Sequence, residues 1–177
     1  QSVESEDDFG YFGDEDENWH FLIKDMYSLM KRVQKENEKT KYFLLGHSMG
    51  SFLARAFIAE YGEFLNGVIL MGTSSGHRFI DAAIAIANES VRHRGGKTRG
   101  GYINKLMVDF FNVRCLPVKT AYDWISSDHK VVDAFMKDER CAFMFTYSGY
   151  RDLFNLLKSV NLKSWYDKVP KNLPIFL

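Results

Sequence analysis

An α/β fold, a parallel sheet with flanking helices, is what this 177-residue sequence predicts. Three observations carry the expectation. "YFLLG" (42–46) and "GVILMG" (67–72) are short continuous apolar runs, the mark of strands covered on both faces. Between them, Phe52, Leu53, Ala56 and Phe57 recur at helical spacing, with Gly62 as the stop. Strand, helix and strand at this separation make a βαβ unit, so the strands are parallel and the crossover right-handed.

The elements follow in chain order. Residues 4–17, "ESEDDFGYFGDEDE", contain acids and no base, and read as a solvated loop. Their spacing lacks the ligand order of a calcium-binding loop. From Trp19 the apolar residues Leu22, Ile23, Met26, Leu29, Met30 and Val33 fall on one helical face. Asn18 is the expected N-cap and the polar "QKENEKTK" closes the helix.

After the second strand comes about a hundred residues of different texture. Residues 79–93, 102–112 and 151–160 read as amphipathic helices, and "RGGKTRGG" (94–101) as a flexible basic loop. A helical insertion of this length between two strands of one sheet is expected to act as a lid or cap. The final "LPIFL" (173–177) reads as a third buried strand. The resulting division is a core in 1–78, a helical lid in 79–165 and a return to the core in 166–177.

Bulk properties remove several function classes. With 23 basic and 23 acidic residues, net charge offers no electrostatic case for nucleic acid or an anionic membrane. No apolar run approaches the roughly 20 residues of a membrane span. Cys115 and Cys141 give neither a disulfide framework nor metal-ligand spacing, and read as packed thiols in a reducing, cytoplasmic setting. No metal or organic cofactor is expected. Gln1 is no initiator methionine, and there is no signal peptide, so the chain reads as a segment.

The chemistry concentrates at Gly46-His47-Ser48-Met49-Gly50, which fits G-x-S-x-G with a strand before it and a helix after it. In that setting a serine sits on a sharp, strained turn that lifts its hydroxyl clear of the sheet. Gly46 and Gly50 are expected to be glycine because larger side chains would clash at the turn. The Met49 N–H, at the positive end of the helix, is the expected oxyanion donor.

Such a serine needs a base oriented by a carboxylate. The candidates are His20, His47, His77, His93 and His129. His20 lies on the first helix. His47, adjacent to Ser48, reads as a packed residue behind the nucleophile. His77 follows the second strand, at the sheet end where sites form, without an evident orienting carboxylate. His93 and His129, the latter in a polar turn, read as solvated. Ser48 therefore reads as a nucleophile whose partners are not in view.

Four stretches carry a resemblance: "DFGYFGDEDENW", "FLLGHSMGSFLAR", "GVILMGTSSG" and "YDWISSDHKVVDAFMKDERCAFMFTYSGYRDLF". On them the chain resembles the α/β-hydrolase superfamily, and within it the bacterial lysophospholipase and monoacylglycerol-lipase-like serine hydrolases. The resemblance implies that "YFLLG", "GVILMG" and "LPIFL" are the fifth, sixth and seventh of eight strands. Gln1-Ser2 would end the glycine-rich loop after the fourth strand.

One oxyanion donor, the acid and the histidine would then lie outside the chain, and only Ser48 and Met49 carry over as catalytic positions. The implied substrate is a lipid-like acyl ester, with Met107, Phe110, Phe111, Phe135, Phe143, Met144, Phe145, Tyr147 and Phe154 as lid core or acyl-channel lining. Ser51 stands where many monoacylglycerol lipases have glycine, and it is expected to bond locally and fit. An aminopeptidase or thioesterase on the same scaffold and a non-catalytic binding fragment remain alternatives. A sheet cut from its neighbours is expected to self-associate through bare edges and faces.

Overall fold

A computed structural model describes residues 5–76 and 78–177. Two units are distinguished, residues 1–14 with 86–150, and residues 15–85 with 151–177.

The second unit holds the sheet. Strands β1 (Phe43–His47), β2 (Gly67–Met71) and β3 (Ile175–Phe176) run parallel in the order β1-β2-β3. Register pairs Leu44 with Val68 and Gly46 with Leu70, which fixes those four residues on one face. Helix α2 (Met49–Tyr61) lies against that face because Phe52, Ala54, Ala56, Phe57 and Ile58 are all buried. Helix α1 (Trp19–Glu36) adds Trp19 and Ile23 to the core under α2.

Three corrections concern this unit. The strands are covered on one face and not on both: Phe43, Leu45, Met71 and Phe176 are exposed. Continuous apolar runs report what a sheet is built to bury, and the described residues supply only one layer of helices. The expected strand at 173–177 shrinks to two exposed residues, although the Pro174 carbonyl still accepts the Val68 N–H at 2.9 Å. Asn18 is buried but does not cap α1, since its backbone is already helical. Its N–H instead donates to Asp152 Oδ1 at 3.0 Å. Gly62 does end α2, in a right-handed conformation; a Cβ there would sit 2.9 Å from Pro170 Cδ.

Of the remaining helices, α3 (Ile80–Arg94) runs from the second unit into the first. Helices α4 (Gly101–Asn112) and α5 (His129–Lys137) belong to the first unit. Helix α6 (Tyr147–Ser159) starts there and ends in the second, where Leu156 is part of the α1/α2 core; α7 (Lys163–Lys168) follows. In the first unit Arg99 donates to the carbonyls of Glu6 and Met144 at 2.8 and 2.9 Å. Phe143 stacks on Phe145 with ring centroids 5.6 Å apart.

Sequence reasoning missed α5 and α7 altogether. His129 is thus not in a turn: it opens α5, behind Asp128, whose side chain accepts the Lys130 N–H at 2.9 Å. Cys141 is exposed and not packed, and both cysteines are free. Among the described residues no helix is long and apolar enough to cross a membrane.

Candidate active site at the β1–α2 turn

The chain reaches the site along β1 and leaves it as α2, with one residue, Ser48, between them. A strand direction becomes a helix direction within that residue, and its backbone takes the strain: φ is 52° and ψ −122°. Such a conformation costs a non-glycine residue about 1–3 kcal/mol and persists only where its surroundings hold it.

Three hydrogen bonds do so. The Ser48 N–H donates to the Met71 carbonyl at 3.0 Å, and the Ser48 carbonyl accepts the Ser51 N–H at 2.8 Å. Ser51, fully buried, adds its hydroxyl to the same carbonyl at 2.6 Å, the local bond and fit expected for it. The Ser48 side chain is exposed and makes no hydrogen bond among the described residues.

The two glycines differ. A Cβ on Gly46 would lie 2.3 Å from the Gly50 carbonyl oxygen and 2.8 Å from Ser51 Cα, so the turn admits only glycine there. A Cβ on Gly50 would meet nothing within 4 Å. The expected clash at Gly50 is therefore corrected: its carbonyl faces Gly46, but a side chain there would point into open space. Met49 opens α2, and among the described residues its N–H has no partner, as the first donors of a helix do not. His47 is exposed, not packed, because strand alternation puts it on the uncovered face with Leu45.

Among the described residues no histidine hydrogen-bonds the Ser48 hydroxyl. His20 stacks on Trp19 and lies 3.8 and 3.9 Å from Glu17 and Glu60. His93 pairs with Glu89 at 3.1 Å, and His129 lies 3.3 Å from Lys119 Nζ; both are exposed. His77 and Gln1-Ser2 lie outside the described residues. Among the described residues no His, Cys, Asp or Glu cluster is arranged to hold a metal ion.

Two buried polar side chains near this layer escaped sequence reasoning. Burial pushes the Asp152 carboxyl up to about 6, against the opposing pull of Arg151 and the Asn18 hydrogen bonds. Arg55, on α2, donates to the Ser74 carbonyl at 2.8 Å and the Val160 carbonyl at 2.6 Å, and burial lowers its pKa. The signal for Arg55 was a cation in mid-helix flanked by Ala54 and Ala56, on the strip that faces the core.

The model of the family described as "Serine aminopeptidase, S33" matches residues 8–171. A highly thermostable carboxyl esterase from Bacillus coagulans, solved in complex with glycerol, is 29% identical with a TM-score of 0.79. The alignment covers 89% of this chain and 51% of that one. A lipase in its open form is similar in fold at 21% identity and a TM-score of 0.77, covering 90% and 53% of the two chains. The chain thus spans about half the length of the solved structures it matches. No curated protein matches it.

Proposed function

The chain belongs to the serine aminopeptidase S33 family of α/β-hydrolases, and from that premise we propose that the full-length protein is a serine hydrolase of carboxylic esters. Lipid-like acyl esters, such as lysophospholipids or monoacylglycerols, are the substrate class. The observation that carries this reading is the exposed Ser48 hydroxyl on a residue at φ 52°, held at a strand-to-helix turn. A strained backbone held by three hydrogen bonds at this kind of turn supports the reading, since presentation of a nucleophile uses such a turn.

In the proposed reaction Ser48 Oγ bonds to the ester carbonyl carbon as its proton passes to a base outside the described residues. The oxyanion is met by the Met49 N–H, a kind of contact worth about 3–4 kcal/mol in the transition state. The C–O bond to the alcohol breaks, and the alcohol leaves with the proton. Water then attacks the acyl-Ser48 ester, releasing the acid and restoring the hydroxyl. Residues 79–165 would serve as the lid, and within them Tyr102, Leu106 and Phe110 of α4 are exposed apolar side chains.

The family's description favours one second reading, an aminopeptidase using the same Ser48. Long-chain acyl glycerol esters and aminoacyl-arylamides, assayed side by side on the full-length protein and its Ser48→Ala variant, separate the two. Ester turnover lost in Ser48→Ala supports the esterase; arylamide turnover alone overturns it. The 177-residue segment by itself is expected to turn over neither substrate.

A further inference from the structure

Arg55 is only 6% exposed, yet among the described residues its side-chain partners are carbonyl, hydroxyl and amide oxygens and no carboxylate. A guanidinium buried that far is costly unless its donors are met, and the fork geometry of arginine suits several acceptors at once. Here the acceptors come from two segments far apart in sequence. One nitrogen donates to the Ser74 carbonyl at 2.8 Å, with Thr73 Oγ1 at 3.5 Å. The other donates to the Val160 carbonyl at 2.6 Å and to Asn161 Oδ1 at 3.0 Å. Trp165 closes the arrangement, its ring centroid 4.9 Å from the guanidinium carbon and its Nε1–H donating to the Arg55 carbonyl.

Residues 72–76, the loop held in this way, start against Ser48. Met71, immediately before it, accepts the Ser48 N–H, and a Cβ on Gly72 would lie 3.9 Å from the Ser48 nitrogen. Its far end meets the same clamp, since a Cβ on Gly76 would lie 3.3 Å from Asn161 Cβ. Between those ends Thr73, Ser74 and Ser75 are exposed and carry three hydroxyls.

Resting on the reading of Ser48 as nucleophile, we propose that Arg55 is a positioning residue that fixes this hydroxyl-bearing loop beside Ser48. The loop then takes the hydroxylated alcohol part of the ester, while the acyl part binds elsewhere. Hydroxyl groups recognise a polyol by exchanging hydrogen bonds, and such recognition needs the donors held in place before the ligand arrives. Lysine would keep the charge but lose the fork, so Arg55→Lys is a severe change for the loop and a mild one for the charge.

The test uses the full-length protein with Arg55→Lys, and Asn161→Ala as a gentler second variant. The first readout needs no activity: the rate of tryptic cleavage after Arg78, just beyond the loop, against cleavage after the exposed Lys39 in the same digest. Arg55→Lys is expected to raise the Arg78 rate about tenfold relative to Lys39, and Asn161→Ala about threefold. The second readout is the preference for a glycerol monoester over the methyl ester of the same acid. It is expected to fall about tenfold in Arg55→Lys, mainly through KM.

Unchanged cleavage and unchanged preference overturn the proposal. Cleavage rising equally at Lys39 and Arg78 also overturns it, by making Arg55 a general core residue. If Arg78 cleavage behaves as expected while wild-type Ser48 proves unreactive, the clamp stands and the proposed activity falls.

Discussion

On one face of the sheet Val68 and Leu70 lie under α2 at 2% and 4% exposure, whereas on the other Phe43, Leu45 and Met71 stand 65%, 59% and 53% exposed. These residues alternate along the same two strands, so propensity and composition do not separate them. What differs is the presence of a packed layer. The covered face holds the β1–α2 turn from below: α2 rests on Leu44 and Val68, and its first turn braces Ser48. On the uncovered side no side chain braces Ser48 among the described residues, the Met71 contribution being its backbone carbonyl, and His47 is left in solvent. The backbone that sets the direction of the Ser48 hydroxyl is thus held by one packed layer, whereas among the described residues no histidine or carboxylate hydrogen-bonds that hydroxyl.

If that is so, the largest loss should follow damage to the covered layer. Phe57→Ala, which empties the core between α1 and α2, is expected to cost about 3–5 kcal/mol in urea denaturation. Asp152 comes next and has a pH signature. An unfolded aspartate titrates near about 3.9, and burial lifts this one to about 6. The folded chain therefore holds the proton between those values. The resulting stability is complete below about pH 3.9 and is lost as pH rises through about 6, an effect of about 2–3 kcal/mol. Asp152→Asn should flatten that slope in denaturation curves taken between pH 4 and 7.

At the β1–α2 turn Gly46→Ala should cost about 1–3 kcal/mol, because every atom it strikes is backbone. Gly50→Ala should be neutral or stabilising by up to about 1 kcal/mol in this chain, since it meets open space in a helix. An equal penalty at both glycines, read from melting curves, would erase the asymmetry argued for the turn.

The smallest change in stability belongs to the uncovered face. Leu45→Lys should alter the stability of the 177-residue chain by no more than about 0.5 kcal/mol. It should nevertheless reduce the chain's self-association in light scattering, because the apolar face it interrupts is bare. A wild-type chain that stays monomeric at high concentration would contradict that.

What the sequence revealed follows from how periodicity works. Helix α1 and the β1-α2-β2 unit were legible because each repeats its apolar spacing over enough residues to be recognised. Helix α5 was not, although Val132, Phe135 and Met136 fall on one side of it; nine residues give barely two repeats. Burial of only one sheet face was invisible, since a strand's composition reflects its intended cover and not the cover at hand.

At the candidate site, the strained turn at Ser48 and the crowding at Gly46 were legible from a motif whose spacing is set by local backbone geometry. Ser51 was legible as a local bond, but not as a third restraint on the strained residue. Arg55 and Asp152 were missed because their partners lie 18 to 134 residues away, and no local pattern encodes those contacts.

The most direct measurement is covalent labelling of the folded, full-length protein with a fluorophosphonate, followed by mass spectrometry of its peptides. A single adduct on the peptide bearing Ser48, absent from Ser48→Ala, is the expected result. No adduct, or one that survives Ser48→Ala, would contradict the claim that this strained turn presents a working nucleophile.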